Sequence, residues 1–257
     1  MPVSPRIRHL ARAAALLGAL ALLLALPALA GAAEDPSQLN VQVPAPGSDP
    51  GTTIGLLGLF TLITLGPSVL IMMTGFTRIL IDLGFLRQAM GTPSLPPNQI
   101  LIGISIFLTI FVMAPTFSTI NETALQPYLD QKIEAQEAID NAAKPLRAFM
   151  LKQTGNSELE MFVKLSRQEA PRTADEVELT TLIPAFMISE IKTAFMIGFL
   201  IYVPFLIIDM VVASTLMSMG MMMLPPQMIS LPFKLLLFVL VDGWALLAQN
   251  LVAGFHT

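Results

Sequence analysis

Residues 217–226 have the sequence MSMGMMMLPP and separate two long apolar segments, 182–208 and 231–255. Gly220 and the pair Pro225-Pro226 favour an irregular backbone. Proline breaks a helix that precedes it, and glycine is common where a helix ends. The stretch therefore predicts a loop that joins two apolar helices into a hairpin. Five methionines in ten residues give this loop a flexible surface that can pack around different shapes, although methionine fills ordinary cores in the same way.

The composition around this hairpin is that of a membrane protein. Of the 257 residues, 54% are hydrophobic and 12% are charged, against about 25% charged in soluble domains. More than half of the formal charges lie between residues 122 and 178, which predicts a membrane-associated chain with one polar segment. The net charge of −4 provides no basis for binding nucleic acid.

The N-terminus has the pattern of a secretory signal. Three arginines precede the apolar run 13–26, and a cleavage site of small residues follows at 28–30. Residues 1–30 are therefore predicted to be a cleaved signal peptide, with an uncleaved first membrane helix as the alternative. Residues 31–52 are rich in Pro, Gly, Ser and Asp and are predicted to form a flexible tail on the exported side.

Two further apolar segments, 53–77 and 100–117, predict a first helical hairpin over residues 53–120. Pro67 lies in the middle of the first segment and predicts a kink there. The short connection 78–99 carries two arginines and an aspartate, and arginines in a short loop favour the cytoplasmic side of the membrane.

A polar insert is predicted between the two hairpins, over residues 121–181, because its apolar positions recur at helical spacing. Pro145 and Gly155 are expected to divide it into two or three amphipathic helices. Their apolar faces need a partner, either elsewhere in the chain or in another subunit. The second hairpin is expected over residues 182–257, so the predicted fold class is all-α.

Five charged residues lie in or beside the apolar helices, where a charge costs at least about 2.5 kcal/mol: Glu190, Lys192, Asp209, Lys234 and Asp242. Asp209, which is expected to end its helix, and Lys234 both flank the methionine-rich loop and are predicted to pair. Glu190 lies too far from Lys234 unless the helices fold back or the partner belongs to another subunit. Ion pairs that hold helices together are favoured over a proton relay, which usually aligns carboxylates or a histidine on one face.

The residue types argue against an enzyme. The chain has no cysteine and only two histidines, His9 in the predicted signal peptide and His256 next to the C-terminus. Thiolate metal sites and cysteine nucleophiles are thereby excluded, and no internal histidine is left for a serine or zinc protease embedded in the membrane. No metal or cofactor is predicted. A secondary transporter, in which the intramembrane charges bind a small solute or a proton, is one function class that these helices could serve.

Three blocks of the sequence resemble the FliP family of flagellar and type III secretion export-gate proteins. They are RILIDLGFLRQAMGTPSLPPNQILIGISIFLTIFVMAP at 78–115, AFMISEIKTAFMIGFLIYVPFLIIDM at 185–210, and DMVVASTLMSMGMMMLPPQMISLPFKLLLFVLVDGW at 209–244. The similarity extends over about residues 53–255. The predicted signal peptide favours the flagellar branch of the family.

The resemblance implies a pore subunit of the flagellar export gate, with the secondary transporter as the alternative function. It implies a homopentamer that assembles with the export-gate proteins FliQ and FliR and forms a channel for unfolded substrates. The complex would lie in the bacterial inner membrane at the flagellar basal body, with its bulk on the periplasmic side. Each chain would form two broken helical hairpins with an amphipathic helical insert, and the chains together a helical ring.

The resemblance also assigns roles to particular residues. The constriction of the channel maps to the methionine-rich loop, at Met221, Met222 and Met223, with Met219 close by. Three charged residues would lie at contacts within or between subunits, namely Glu190, Asp209 and Lys234. Phe149 and Phe162, on the insert, would pack against the neighbouring subunit.

Overall fold

The computed structural model of the chain describes residues 71–92, 94–166, 173, 176–221 and 224–255, together with the single positions 61, 64, 66, 68 and 69. The predicted signal peptide, the predicted exported tail and Pro67 lie outside the described residues. In the described part, every regular element is helical, which confirms the all-α fold class.

The helices follow one another with short connections. In chain order they are α1 Phe76–Ala89, α2 Asn98–Ile120, α3 Gln126–Leu129, α4 Ala135–Gln153, α5 Asn156–Ser166, α6 Leu179–Ser218, α7 Pro226–Leu240 and α8 Gly243–Ala253. A single π-helical turn, Asn121–Leu125, continues α2 into α3.

The longest helix, α6, has 40 residues and is the axis on which the others pack. Helices α1, α4, α5 and α7 all contact it. The prediction that this helix ends at Asp209 is wrong, because α6 continues to Ser218 with Pro204 in its interior. The carboxylate of Asp209 is held by side chains of α7. The side chain of Asp209 therefore bonds the neighbouring helix and leaves the backbone of α6 continuous.

The region expected to be a short connection, 78–99, is mostly the helix α1. It carries the buried side chains of Ile79 and Leu83 onto α6, so the segment belongs to the core. The apolar residues of α1 recur at helical spacing, but the three charges among them suggested a polar loop. Two of those charges, Arg78 and Asp82, are themselves buried.

The insert folds onto the rest of the chain through α4 and α5, which both contact α6. Gly155 separates these two helices, as predicted, but Pro145 does not divide the insert, because it lies inside α4. An interior proline removes one helical hydrogen bond. The side chains of Phe149 and Met150 on the next turn are buried, and their burial offsets that loss.

Two stretches are long and apolar enough to cross a membrane: the continuous helical stretch Asn98–Leu129, of 32 residues, and α6. Helices α7 and α8 would form a third if they counted as one span, but they are bent by 64° relative to each other. The bend lies at Asp242, whose φ of 51° is in the left-handed region. The apolar segment 231–255 is therefore a broken helix.

The core is formed by side chains of α1, α2, α4, α6 and α8. Its largest fully buried apolar side chains are Phe186, Ile79, Leu83, Met113, Met150, Leu182 and Leu251. The opposite faces of α2, α6 and α7 expose large apolar side chains, including Phe107, Phe111, Phe195, Phe199, Leu200 and Leu240. Exposed apolar faces of this size indicate surfaces that lipid or other protein chains cover.

Candidate functional site

The methionine-rich loop begins with a glycine that ends α6. Gly220 has a φ of 73°, a conformation that only glycine adopts without strain. Its backbone N–H donates to the carbonyl oxygen of Met217 at 3.1 Å, and that of Met221 donates to Leu216 at 3.0 Å. This pair of bonds is the Schellman arrangement, which satisfies the last carbonyl groups of a helix. The predicted break in the backbone is therefore present.

The methionines around this break point away from the core. Met219 is 68% exposed and Met221 is 41% exposed, and Met217 and Met228 on the flanking helices are also exposed. Met222 and Met223 lie outside the described residues. Single exposed methionines are ordinary, but this group forms an apolar surface at the tip of a hairpin.

A polar cluster in the hairpin holds α6 and α7 together behind the loop. Nζ of Lys234 lies 2.5 Å from Oδ2 of Asp209 and 3.1 Å from the backbone carbonyl oxygen of Ala89, to which it donates. Oγ of Ser230 donates to the other oxygen of Asp209, at 2.6 Å. The predicted pairing of Asp209 with Lys234 is present, and it also fixes the end of α1. Ser230 and Ala89 were not predicted as members of this cluster.

An open cleft of about 460 Å³ lies beside this pair. Its lining includes Arg87, Tyr202 and Gln227 together with Asp209 and Lys234. The guanidinium group of Arg87 donates to Oδ1 of Asn98 at 2.6 Å. The cleft therefore carries both signs of charge, and most of its charged groups already have partners within the chain.

Glu190 does not contact Lys234. Its Oε1 accepts a hydrogen bond from Nη2 of Arg78, and both side chains are buried. Nη1 of Arg78 also donates to the backbone carbonyl oxygen of Gly254, at 3.0 Å. The guanidinium carbon lies 4.2 Å from the ring centroid of Phe255, a distance typical of a cation–π contact.

Asp82 lies one helical turn after Arg78 and is completely buried. Within the described part of the chain, neither of its carboxylate oxygens has a hydrogen-bond partner. Burial raises the pKa of Asp82 to about 8, although the charge of Arg78 acts in the opposite direction. Residues 78–99 were predicted to be a short connection between helices, so these two buried charges were missed. Arg78 and Asp82 are four residues apart within an apolar helical pattern, and this spacing could have predicted that both are buried.

Lys192 joins the insert to α6. Its Nζ donates to Oε1 of Glu158 on α5 at 2.7 Å, and this hydrogen bond is the main reason that the pKa of Glu158 lies below its ordinary value. One turn earlier on α6, Oγ of Ser189 accepts a hydrogen bond from the backbone N–H of Gly155 at 2.7 Å. Lys192 is mostly exposed, so its pair with Glu158 lies at the edge of the packed region.

The two phenylalanines assigned to a neighbouring subunit have different environments. Phe149 is only 4% exposed in the single chain, and its ring lies 6.1 Å from that of Phe186 and 6.3 Å from that of Phe255. Phe149 is therefore already covered by its own chain, which leaves little of its surface for a neighbouring subunit. Phe162 on α5 is only half-buried, beside the exposed Leu165, and keeps surface for such a contact.

The chemistry of these groups is that of ion pairs and packing. Among the described residues, no group of three or more His, Asp or Glu side chains is placed to hold a metal ion. The charged residues predicted to bind helices together, Glu190, Asp209 and Lys234, each have a partner of opposite charge in the same chain.

Comparison with known proteins identifies close relatives. The model of the FliP family matches residues 59–251. The flagellar biosynthetic protein FliP of Bacillus subtilis is 56% identical over 211 residues, which cover 81% of this chain and 96% of that protein. The protein of the same name from Caulobacter vibrioides is 50% identical over 95% of this chain and 92% of its own length. That of Agrobacterium fabrum is 46% identical over 92% of this chain and 97% of its own length.

Proposed function

Because the chain belongs to the FliP family, we propose that it is a core subunit of the flagellar protein export gate. In this proposal several copies, five by the family resemblance, form a ring together with FliQ and FliR in the bacterial inner membrane. The ring encloses a channel for unfolded flagellar substrates, and much of it lies on the periplasmic side. The methionine-rich loops meet at the axis and form its constriction.

The exposed methionines at the tip of the α6–α7 hairpin are the observation that carries this proposal. A seal that excludes ions and yields to a passing chain needs apolar side chains that change shape at little cost, and methionine has three rotatable bonds and no branch. The Schellman turn and the partly buried pair of Asp209 with Lys234 hold both ends of the loop. The loop can therefore deform without separating the helices that carry it.

The uncovered apolar faces of the helices support assembly. A single chain that exposes Phe107, Phe111, Phe195 and Phe199 needs lipid or neighbouring chains on those faces. The 64° bend between α7 and α8 makes that part of the chain a poor straight membrane span. Broken helices at membrane depth are tolerated where other protein segments cover them, so we assign part of this surface to contacts between subunits.

The outer face of α5 is the proposed contact of the insert with a neighbouring subunit. Phe162 is half-buried there, and Met161 and Leu165 are exposed beside it. Met161 and Leu165 are exposed and lie four residues apart, so they form an apolar strip beside the exposed pair of Lys164 with Glu160.

The seal is tested by deleting Met221 to Met223 in cells and measuring leakage of small ions across the inner membrane. We expect leakage, because the deletion removes the apolar side chains at the axis. Replacing the same three residues by leucine keeps the apolar volume and is expected to hold the barrier. The control is Met228→Ala, at an exposed methionine on α7 outside the proposed constriction, which is expected to leak no more than the parent.

Assembly is checked in parallel by co-purification of each variant with FliQ and FliR, and flagellar secretion is monitored. If the assembled complex that carries the deletion still blocks ions, these methionines do not form the seal and serve only to fill space in the packing. Saturable binding of a small solute by the isolated chain would instead favour the transporter.

A further inference from the structure

Three ionisable side chains lie together in the core between α1 and α6. Arg78, Asp82 and Glu190 are each at most 2% exposed. The guanidinium group of Arg78 donates to Glu190 and to the carbonyl oxygen of Gly254, and its face lies against Phe255. The one cation of the group is therefore engaged with partners other than Asp82.

The group contains two carboxyl groups and only one cation. If both carboxyl groups were ionised, the core would hold an uncompensated negative charge, which folded proteins avoid by shifting a pKa and keeping a proton. Glu190 accepts a hydrogen bond from Arg78. Asp82 accepts none within the described part of the chain. Asp82 is thus the carboxyl group that gains more from being neutral.

The elements packed on α1 bring few other charges to this position. Helix α6 contributes Glu190, and α2 has no ionisable residue between Asn98 and Ile120. Lys234 lies near the far end of α1, where it donates to Ala89 and Asp209. The C-terminal segment contributes the Gly254 carbonyl group and the Phe255 ring, while His256 lies outside the described residues.

We propose that Asp82 is a proton-binding site of the folded chain, which takes up a proton when α1 packs on α6 and releases it when the two helices separate. The ligand is the proton itself, and the site is the buried carboxyl group beside Arg78 and Glu190. The proposal concerns the single chain, so it stands or fails independently of the export function.

The sign of the pH dependence follows from the two states of Asp82. Burial raises the pKa of this carboxyl group from 3.8 to about 8, and α1 lies outside the two helical stretches long enough to span a membrane. Between about pH 4 and pH 8 the folded chain therefore holds a proton that the unfolded chain has lost. The stability contributed by the neutral group is fully present below about pH 4 and is lost as the pH rises through about 8.

Infrared spectroscopy of the purified chain tests the site directly. At pH 7 we expect the carbonyl stretch of a protonated carboxyl group that resists exchange into D₂O and fades at about pH 8. Labelling aspartate with ¹³C should shift this band, whereas labelling glutamate should leave it in place. The assignment needs no variant, so it holds even if substitutions at Asp82 impair folding. A band that moves only with labelled glutamate, or no such band at all, would overturn the proposal.

Thermal unfolding between pH 5 and 9 gives a second readout. In the parent chain the melting temperature should fall as the pH rises and level off above about pH 8. Asp82→Asn mimics the protonated group and should remove most of this slope. His256→Ala is the control for the histidine that follows Phe255 in the sequence and should follow the parent. If Asp82→Asn unfolds with the same pH dependence as the parent, Asp82 is not the group that binds the proton.

Discussion

At the scale of single residues, Lys234 connects three separate helices. It is 4% exposed, and its ammonium group bonds Asp209 of α6 and the last carbonyl group of α1, Ala89. Lysine is almost never buried so deeply unless it is paired. Because the acceptors of Lys234 lie on α6 and α1, these bonds set the position of α7 along α6.

Replacing Lys234 by methionine should lower the free energy of unfolding by about 3 kcal/mol, the lower end for breaking a buried pair. The substitution leaves the carboxylate of Asp209 largely buried with only Ser230 as donor. The double variant Asp209→Asn/Lys234→Met should lose less stability than Lys234→Met alone, because no unpaired charge remains. Lys164→Met, in an exposed pair with Glu160, is the control and should change stability by less than about 0.5 kcal/mol. Denaturant unfolding in detergent measures all four chains, and a double variant less stable than the single one would contradict this account.

At the scale of elements, α1 and α6 approach closely because of a missing side chain. Gly198 of α6 lies under the ring of Phe85, so that a Cβ atom at this position would come within 2.3 Å of the ring. Phe85 is held there by an edge-on contact with Phe195, with ring centroids 5.1 Å apart. The two aromatic rings thus fill the space that the glycine leaves, and the helices cannot take a side chain between them without moving apart.

The variant Gly198→Ala should destabilise the chain by about 1–3 kcal/mol, the usual effect of overpacking. Gly84→Ala is the matched control on α1, because no atom lies within 4 Å of its Cβ position. Its free energy of unfolding should stay the same or rise by up to about 1 kcal/mol, because alanine has a higher helix propensity than glycine. Thermal unfolding of both variants separates the two effects. Equal shifts in the same direction would show that packing against Phe85 does not set the distance between the helices.

At the scale of the whole molecule, the described chain has two kinds of surface. The insert is bound to α6 by short-range contacts that combine charge and packing, including Lys192 with Glu158 and the edge-on contact of Phe149 with Phe186. The outer faces of α2, α6 and α7 are apolar and uncovered. The insert therefore docks within its own chain, and the remaining apolar faces are left for lipid or for other chains.

Acidification should loosen the contact between α5 and α6. The pKa of Glu158 lies below its ordinary value of 4.5, so the pair with Lys192 contributes stability above about pH 4.5 that is lost as the pH falls through the lowered pKa. The effect is small, because Lys192 is exposed and solvent screens the pair. The protection factors of the α5 amide groups, which correct for the intrinsic dependence of exchange on pH, should fall below pH 4.5 in the parent and depend less on pH in Lys192→Met.

Lys164→Met serves again as the control for that experiment, since Lys164 lies on α5 but pairs with Glu160 of the same helix. It should keep the parent's dependence on pH. If the protection factors of α5 in the parent do not fall on acidification while α4 stays protected, the ion pair does not hold α5 in place.

The sequence by itself determined the features that depend on neighbouring residues. Apolar segments with helical spacing gave the all-α class, and Gly220 with Pro225-Pro226 gave the break between α6 and α7, because turn chemistry acts over a few residues. Asp209 and Lys234 flank the same loop, so their pairing followed from the hairpin. The three blocks quoted above identified the FliP family, which the comparisons confirm.

Only the tertiary structure decided the partners that come from distant parts of the chain. Arg78 and Glu190 are 112 positions apart and meet because α1 packs on α6. Phe149 is buried by its own chain because α4 docks beside Phe186 and Phe255. Local patterns fix where a helix begins, ends and turns. Which buried charges and rings meet depends on how the helices pack, and spacing within one segment does not encode that.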